Sequence, residues 1–234
     1  MHLADMDYLA FRGESLWHRA SAPSKIFFTL AVIAGVVAAQ SPVLLASILV
    51  LQLGLLQTAG VPLRRFGHLL FYPAFFAGLF ALSCPASSWA AIFTVVIKSL
   101  TAASSLLLLA ATTGAPVVFG CLRLFLPAVI ADALFLTYRS FFILSGRLGN
   151  FLTALKVKGG YSPAKILLNL RSAAGALGVL LIYSLEASER MDKVLALRGY
   201  RAGIFLSGSW YRPTKYDLGP ALAGLAVLIG VVML

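Results

Sequence analysis

Residues 26–63 read IFFTLAVIAGVVAAQSPVLLASILVLQLGLLQTAGVPL, 38 residues between Lys25 and Arg64 without an Asp, Glu, Lys or Arg. A helix that crosses a bilayer needs about 20 apolar residues, so the stretch is long enough for two. Gln40-Ser41-Pro42 interrupts it and Gly60-Val61-Pro62 ends it. Two helices follow as the expectation, about 24–39 and 43–60, joined by a tight turn.

The same pattern recurs. Residues 66–97 again lack a formal charge, with a break at Cys84-Pro85-Ala86-Ser87-Ser88. This gives a third helix over about 67–83 and a fourth over about 89–112, stopped by Thr112-Thr113-Gly114-Ala115-Pro116. Residues 218–234 form a fifth uncharged run. The whole composition agrees. Of 234 residues 60% are hydrophobic and 12% charged, with mean hydropathy +0.93. A soluble domain is about a quarter charged, so an ordinary cytosolic enzyme and a charge-rich disordered chain are both excluded. The class is an all-α membrane protein with about five transmembrane helices.

Charge orients the helices. Arg64, Arg65 and His68 mark a cytoplasmic loop, whereas the loops at 40–42 and 84–88 carry no charge and face outward. The N-terminal segment holds Arg12, Arg19 and Lys25 and stays inside. The expected topology is N-terminus in and C-terminus out, in a prokaryotic cytoplasmic (inner) membrane. Four segments result: a cytoplasmic stretch 1–25, four spans in 26–112, a cytoplasmic region 113–216 and a last span in 217–234.

Residues 139–215 hold twelve Lys/Arg and three Asp/Glu, nine units of the chain's net +11. Asp132, Arg139, Arg147 and Lys158 recur at helical intervals among Leu, Phe, Ala and Val, which predicts a long amphipathic helix over about 127–157. Pro163 opens a second helix, about 163–198. Its uncharged middle, Ser172 to Leu185, is only 14 residues, short for a span. Gly175 and Gly178 beside Ala173, Ala174 and Ala176 suit close approach of another helix. Both helices therefore read as partly embedded at the cytoplasmic surface.

The two helices end alike, in Val157-Lys158-Gly159-Gly160-Tyr161 and Leu197-Arg198-Gly199-Tyr200. Each has a cation in the last turn, then a glycine able to take positive φ. Plain capping explains one such end: a cation there complements the helix dipole by about 0.3–1 kcal/mol. Two such ends, on the two long surface helices of one membrane protein, point further, to function. Cys84 and Cys121 stand alone, His2, His18 and His68 are far apart, and no GxxxxGK[ST] phosphate loop occurs. Lys98 lies mid-way along the fourth span, with Thr94, Thr101 and Ser105 on its face. An intramembrane charge is a functional candidate, here for contact with another subunit, against the plainer reading of a lysine satisfied by its neighbours.

The chain resembles the transmembrane (T) component of energy-coupling factor transporters, importers driven by ABC-type ATPases. The resemblance runs nearly full length. It rests on Met6-Asp7-Tyr8-Leu9-Ala10 through Pro23-Ser24-Lys25, on Thr112–Pro116 and Leu122–Pro127, on Leu136-Thr137-Tyr138-Arg139, and above all on Ser184–Arg190, with Glu186, followed by Leu197–Tyr200. The family's signature tripeptide, Ala-Arg-Gly, maps onto Val157-Lys158-Gly159 and Leu197-Arg198-Gly199. Both depart at the first position, and Lys158 lacks the planar fork of an arginine.

The resemblance implies two coupling helices that cross at the cytoplasmic face and insert their ends into two ABC-type ATPase subunits. It also implies a separate substrate-binding (S) membrane subunit to which they pass the ATPases' motion. The chain itself would be a non-catalytic subunit without a cofactor, with ATP and magnesium on the partner ATPases, the lipid bilayer as surroundings and no nucleic acid as partner. The N-terminal run is more similar to the cobalt/nickel uptake branch than to the branch shared among vitamins. Two readings of other classes stand beside this one: a secondary transporter or channel built on the Lys98 stripe, and a membrane-embedded enzyme, for which Asp132 and Glu186 are the plausible acids.

Overall fold

The computed structural model describes residues 10–11, 13, 15–39, 41–61, 63–83, 89–160, 165–200 and 215–233. The expected outward loop at 84–88, the run Met6–Leu9, Tyr161 and Pro163 lie outside these. The described residues form helices and turns, with no strand among them. The helices of eight residues or more among the described residues are α1 (Ala22–Ala38), α2 (Pro42–Thr58), α3 (Leu63–Ser83), α4 (Trp89–Thr112), α5 (Ala115–Leu122), α6 (Ala128–Val157), α7 (Ile166–Leu197) and α8 (Leu218–Met233).

The chain divides into two compact units, Met1–Cys121 with Ser207–Leu234, and Leu122–Leu206. In the first, α4 packs on α1, α2 and α3, while α8 lies along α1. Phe28, Val32 and Val36 of α1 meet Leu45 and Leu56 of α2, Leu107 and Leu108 of α4 and Val227 of α8 in one core. Small residues let α1 and α8 approach. A Cβ at Gly35 would lie 3.2 Å from Val227 and 3.3 Å from Val231, and one at Gly224 would lie 3.4 Å from the Phe28 backbone.

Lysines clamp this bundle at both ends. Lys25, buried at the start of α1, donates to the Thr112 carbonyl at the end of α4 (2.9 Å). Lys98 of α4 donates to the Val37 carbonyl at the end of α1 (3.3 Å). The last carbonyls of a helix lack intrahelical partners and carry its negative dipole end, so each helix caps the other and the pair is antiparallel. Asp217, just before α8, accepts from the backbone N–H of Ser21 (2.6 Å) and from Ser24 Oγ (3.3 Å). An anion thus sits at the positive N-terminus of α1. The starts of α1 and α8 and the end of α4 therefore share one end of the bundle.

Two features differ from the sequence reading. Among the described residues, the helices long and apolar enough, by length and composition, to cross a membrane are α4, α6 and α7, whereas Ala22–Ala38, Pro42–Thr58 and the stretch Gly67–Ser83 of the 21-residue α3 are shorter. Helix α1 stops where Lys98, the tenth residue of the 24-residue α4, meets its carbonyls, so its turn into α2 is recessed along α4. The second difference is α5, eight residues where a plain break was expected. Pro116 in its first turn is pre-set for helix and loses no hydrogen bond there, and Val117 N–H closes on the Gly114 carbonyl (3.0 Å).

Candidate functional site

The second unit consists chiefly of α6 and α7. A short connection, 158–165, makes the helices antiparallel neighbours. Tyr200, just beyond α7, donates its hydroxyl to Asp132 near the start of α6 (2.6 Å). The Arg147 guanidinium stacks over the Tyr183 ring at 4.8 Å. At the far end Gly160 sits against Leu155 and Ser172. A cavity of about 290 Å³ between the helices runs from Leu136 opposite Leu195 to Leu144 opposite Ser184. Contacts thus extend from Asp132 to Gly160, in place of the single crossing point the resemblance implied. Asp132 is buried although it opens the face expected to be polar.

Both ends close as Schellman motifs. Gly160 N–H donates to the Leu155 carbonyl (2.9 Å) and Gly159 N–H to that of Lys156 (3.3 Å). Tyr200 N–H donates to the Leu195 carbonyl (3.0 Å) and Gly199 N–H to that of Ala196 (3.0 Å). The glycines carry the left-handed turn, with φ +72° at Gly159 and +69° at Gly199, a region costly for any other residue. Helix α2 ends the same way, with Gly60 at φ +74°, so the glycine by itself is a capping device. The residues beside it differ. Ala59 is buried in the bundle core. Lys158 and Arg198 are exposed, and the apolar residues before them stand in the open, Val157 at 83% and Leu197 at 89% exposure.

Asp132 adjoins Tyr200, two residues past Arg198. At about 1.5 Å per residue, the helix from Asp132 to Lys158 is roughly 39 Å long. The two cation–glycine ends therefore lie at opposite ends of the pair.

The remaining sequence candidates fall apart spatially. Tyr138 packs edge-on to Phe142 (4.9 Å) and Arg139 is exposed. Glu186 is exposed, its backbone carbonyl accepting from Arg190 (3.3 Å). In the Lys98 stripe, Thr94, Thr101 and Ser105 return their hydroxyls to carbonyls of their own helix, at Ala90, Ile97 and Ala102. Thr101 and Ser105 are fully buried, so that half of the stripe is packing surface, whereas Thr94 and Lys98 are half-buried. The sequence reading missed Gln52, buried and accepting from Ser104 across α2 and α4. It also missed the Tyr200–Asp132 pair. A Gln in the middle of an apolar helix was the one available signal for the former.

A family model described as CbiQ, cobalt transport protein, matches residues 13–205, which include both cation–glycine ends. The chain belongs to the CbiQ family. This is the T-component family of energy-coupling factor transporters, and the CbiQ chain described here is a membrane component of a transport system. No curated protein matches it.

Proposed function

We propose that this chain couples ATPase motion to transport. Val157-Lys158-Gly159 and Leu197-Arg198-Gly199 dock into two ABC-type ATPase subunits, and α6 and α7 carry the displacement to a separate substrate-binding membrane subunit. The chain lies in a prokaryotic inner membrane with its N-terminus inside. It catalyses nothing itself; ATP and magnesium belong to the ATPases, and cobalt or nickel ion is the transported substrate.

One observation carries the reading: two protruding helix ends with the same construction, an exposed apolar residue, an exposed cation and a left-handed glycine, held roughly 39 Å apart by a helix. Such ends offer an apolar knob and a charge to a groove, twice, at a separation suited to two copies of one kind of partner. Burial of Thr101 and Ser105 speaks against a pore along the Lys98 stripe. Arg198→Glu places a like charge where an acidic groove is expected, a change that costs several kcal/mol at an interface. Co-purification of the ATPases should fall at least tenfold while the melting temperature in detergent stays unchanged. Wild-type ATPase recovery with Arg198→Glu would sink the coupling role of this end.

A further inference from the structure

Helix ends fray, because the last turn has the fewest contacts to hold it. At the end of α7 the side chains give little help: Leu197 is 89% exposed and Arg198 is exposed. Yet the chain just beyond them is tied twice through one residue. The Tyr200 backbone N–H closes the turn on the Leu195 carbonyl (3.0 Å). Its hydroxyl donates to Oδ2 of Asp132 (2.6 Å), which is buried near the start of α6. A bond of that length to a carboxylate is among the stronger ones a neutral donor makes. Leu197, Arg198 and Gly199 are therefore bracketed by the last full turn of α7 on one side and by α6 on the other.

The other end is built without this tie. In Val157-Lys158-Gly159-Gly160 the residue that matches Tyr200 is Gly160. Its N–H closes the same turn, on the Leu155 carbonyl (2.9 Å), and a Cβ there would lie 3.4 Å from Ser172 Oγ on α7. Gly160 thus comes close to the neighbouring helix but has no side chain with which to make a directional bond. The two ends share a turn and differ in what fastens that turn to the partner helix.

We propose that Tyr200 is a positioning residue. Its hydrogen bond to Asp132 fixes the Leu197-Arg198 knob in docking orientation before an ATPase arrives, whereas the Lys158 end is ordered by its ATPase on contact. A segment already held in its bound form loses less freedom on binding, so the Arg198 end meets its groove pre-formed. This role rests on the reading that both ends dock into ATPases.

The test uses the full chain assembled with its ATPases in detergent. A photo-reactive benzophenone amino acid replaces either Val157 or Leu197, and the yield of cross-links to the ATPase is read with and without Tyr200→Phe. With Tyr200 intact, both positions should cross-link. With Tyr200→Phe the yield should fall about tenfold at position 197, since a hydrogen bond to a charged group is worth at least that factor, and stay within about twofold at position 157. The end furthest from the substitution reports on the fold, because general loss of structure lowers both yields together. An unchanged yield at position 197, or an equal fall at both positions, would overturn the positioning role and leave docking standing. Absence of cross-links from both positions with Tyr200 intact would overturn docking itself, and the positioning role with it.

Discussion

Helix α1 buries eight of its 17 residues, whereas α7 buries only Ala176 of its 32. Both are mostly apolar: α1 is rich in Ala, Val and Ile with Lys25 in its first turn, and α7 is rich in Leu and Ala with charges towards its C-terminal end. What separates them is company. Helix α1 is flanked by α4 and α8, which leaves its apolar side chains in protein contact. Helix α7 has α6 alongside, and Leu177, Leu181, Ile182 and Leu185 remain about 60% exposed. Apolar area left open at roughly 25 cal/mol per Å² is a standing drive towards burial. The bundle has met that demand within the chain. The hairpin leaves it open, and exposed apolar surface of this extent marks a site for contact beyond the chain, as the coupling role proposed above would need.

The comparison predicts opposite outcomes for like substitutions. In the bundle, Gly35→Leu drives a branched side chain against Val227 and Val231, which already stand 3.2 Å and 3.3 Å from a bare Cβ. Over-packing of this kind costs about 1–3 kcal/mol, so thermal unfolding of the purified chain in detergent should shift down by several degrees. An unchanged melting curve would mean that α1 and α8 are not tightly packed.

The hairpin's own cohesion is the next largest effect. Tyr200→Phe removes the hydroxyl that donates to the buried Asp132 (2.6 Å). A hydrogen bond to a buried carboxylate contributes about 1.5–3 kcal/mol, and this one joins the start of α6 to the residue just beyond the end of α7. Amide exchange should therefore quicken in the last turns of α7 and the first turns of α6, with α1 and α4 unaffected. Uniform acceleration across both units, or none anywhere, would show that the pair does not hold the hairpin closed.

How much of this could be read from the chain follows a physical line. Helix α4 was expected over 89–112 and is found there, because its limits are set by neighbouring breakers. Gly159 and Gly199 were expected at positive φ and have it, because a Schellman end is decided within six residues. The clamps were not legible. Lys25 meets Thr112 across 87 positions, Lys98 meets Val37 across 61, and Tyr200 meets Asp132 across 68. Such pairs depend on which helices become neighbours and on their depth along each other, and hydropathy carries neither. For the same reason the depth of α1 against α4 escaped the count of apolar residues, although the limits of both helices were read to within two residues. The candidate site was legible as two local motifs and illegible as a geometry. The sequence shows two similar ends 40 residues apart; that they occupy opposite ends of an antiparallel pair comes from the Asp132, Tyr183 and Gly160 contacts.

The smallest effect makes the sharpest use of the comparison. Gly178 lies in mid-helix on α7 with nothing within 4 Å of a Cβ placed there. Alanine at this position meets no atom and gains helix propensity of about 1 kcal/mol. Gly178→Ala should therefore leave the melting temperature of the isolated chain equal or slightly higher, the opposite sign to Gly35→Leu. Any cost must then come from outside the chain, because glycine and alanine on an apolar helix permit another helix to approach closely. If the substrate-binding subunit packs on this face, the same substitution weakens its co-purification while the chain alone is undisturbed. A lower melting point for the isolated variant would show that α7 is already covered, and the contrast between the two regions would fail.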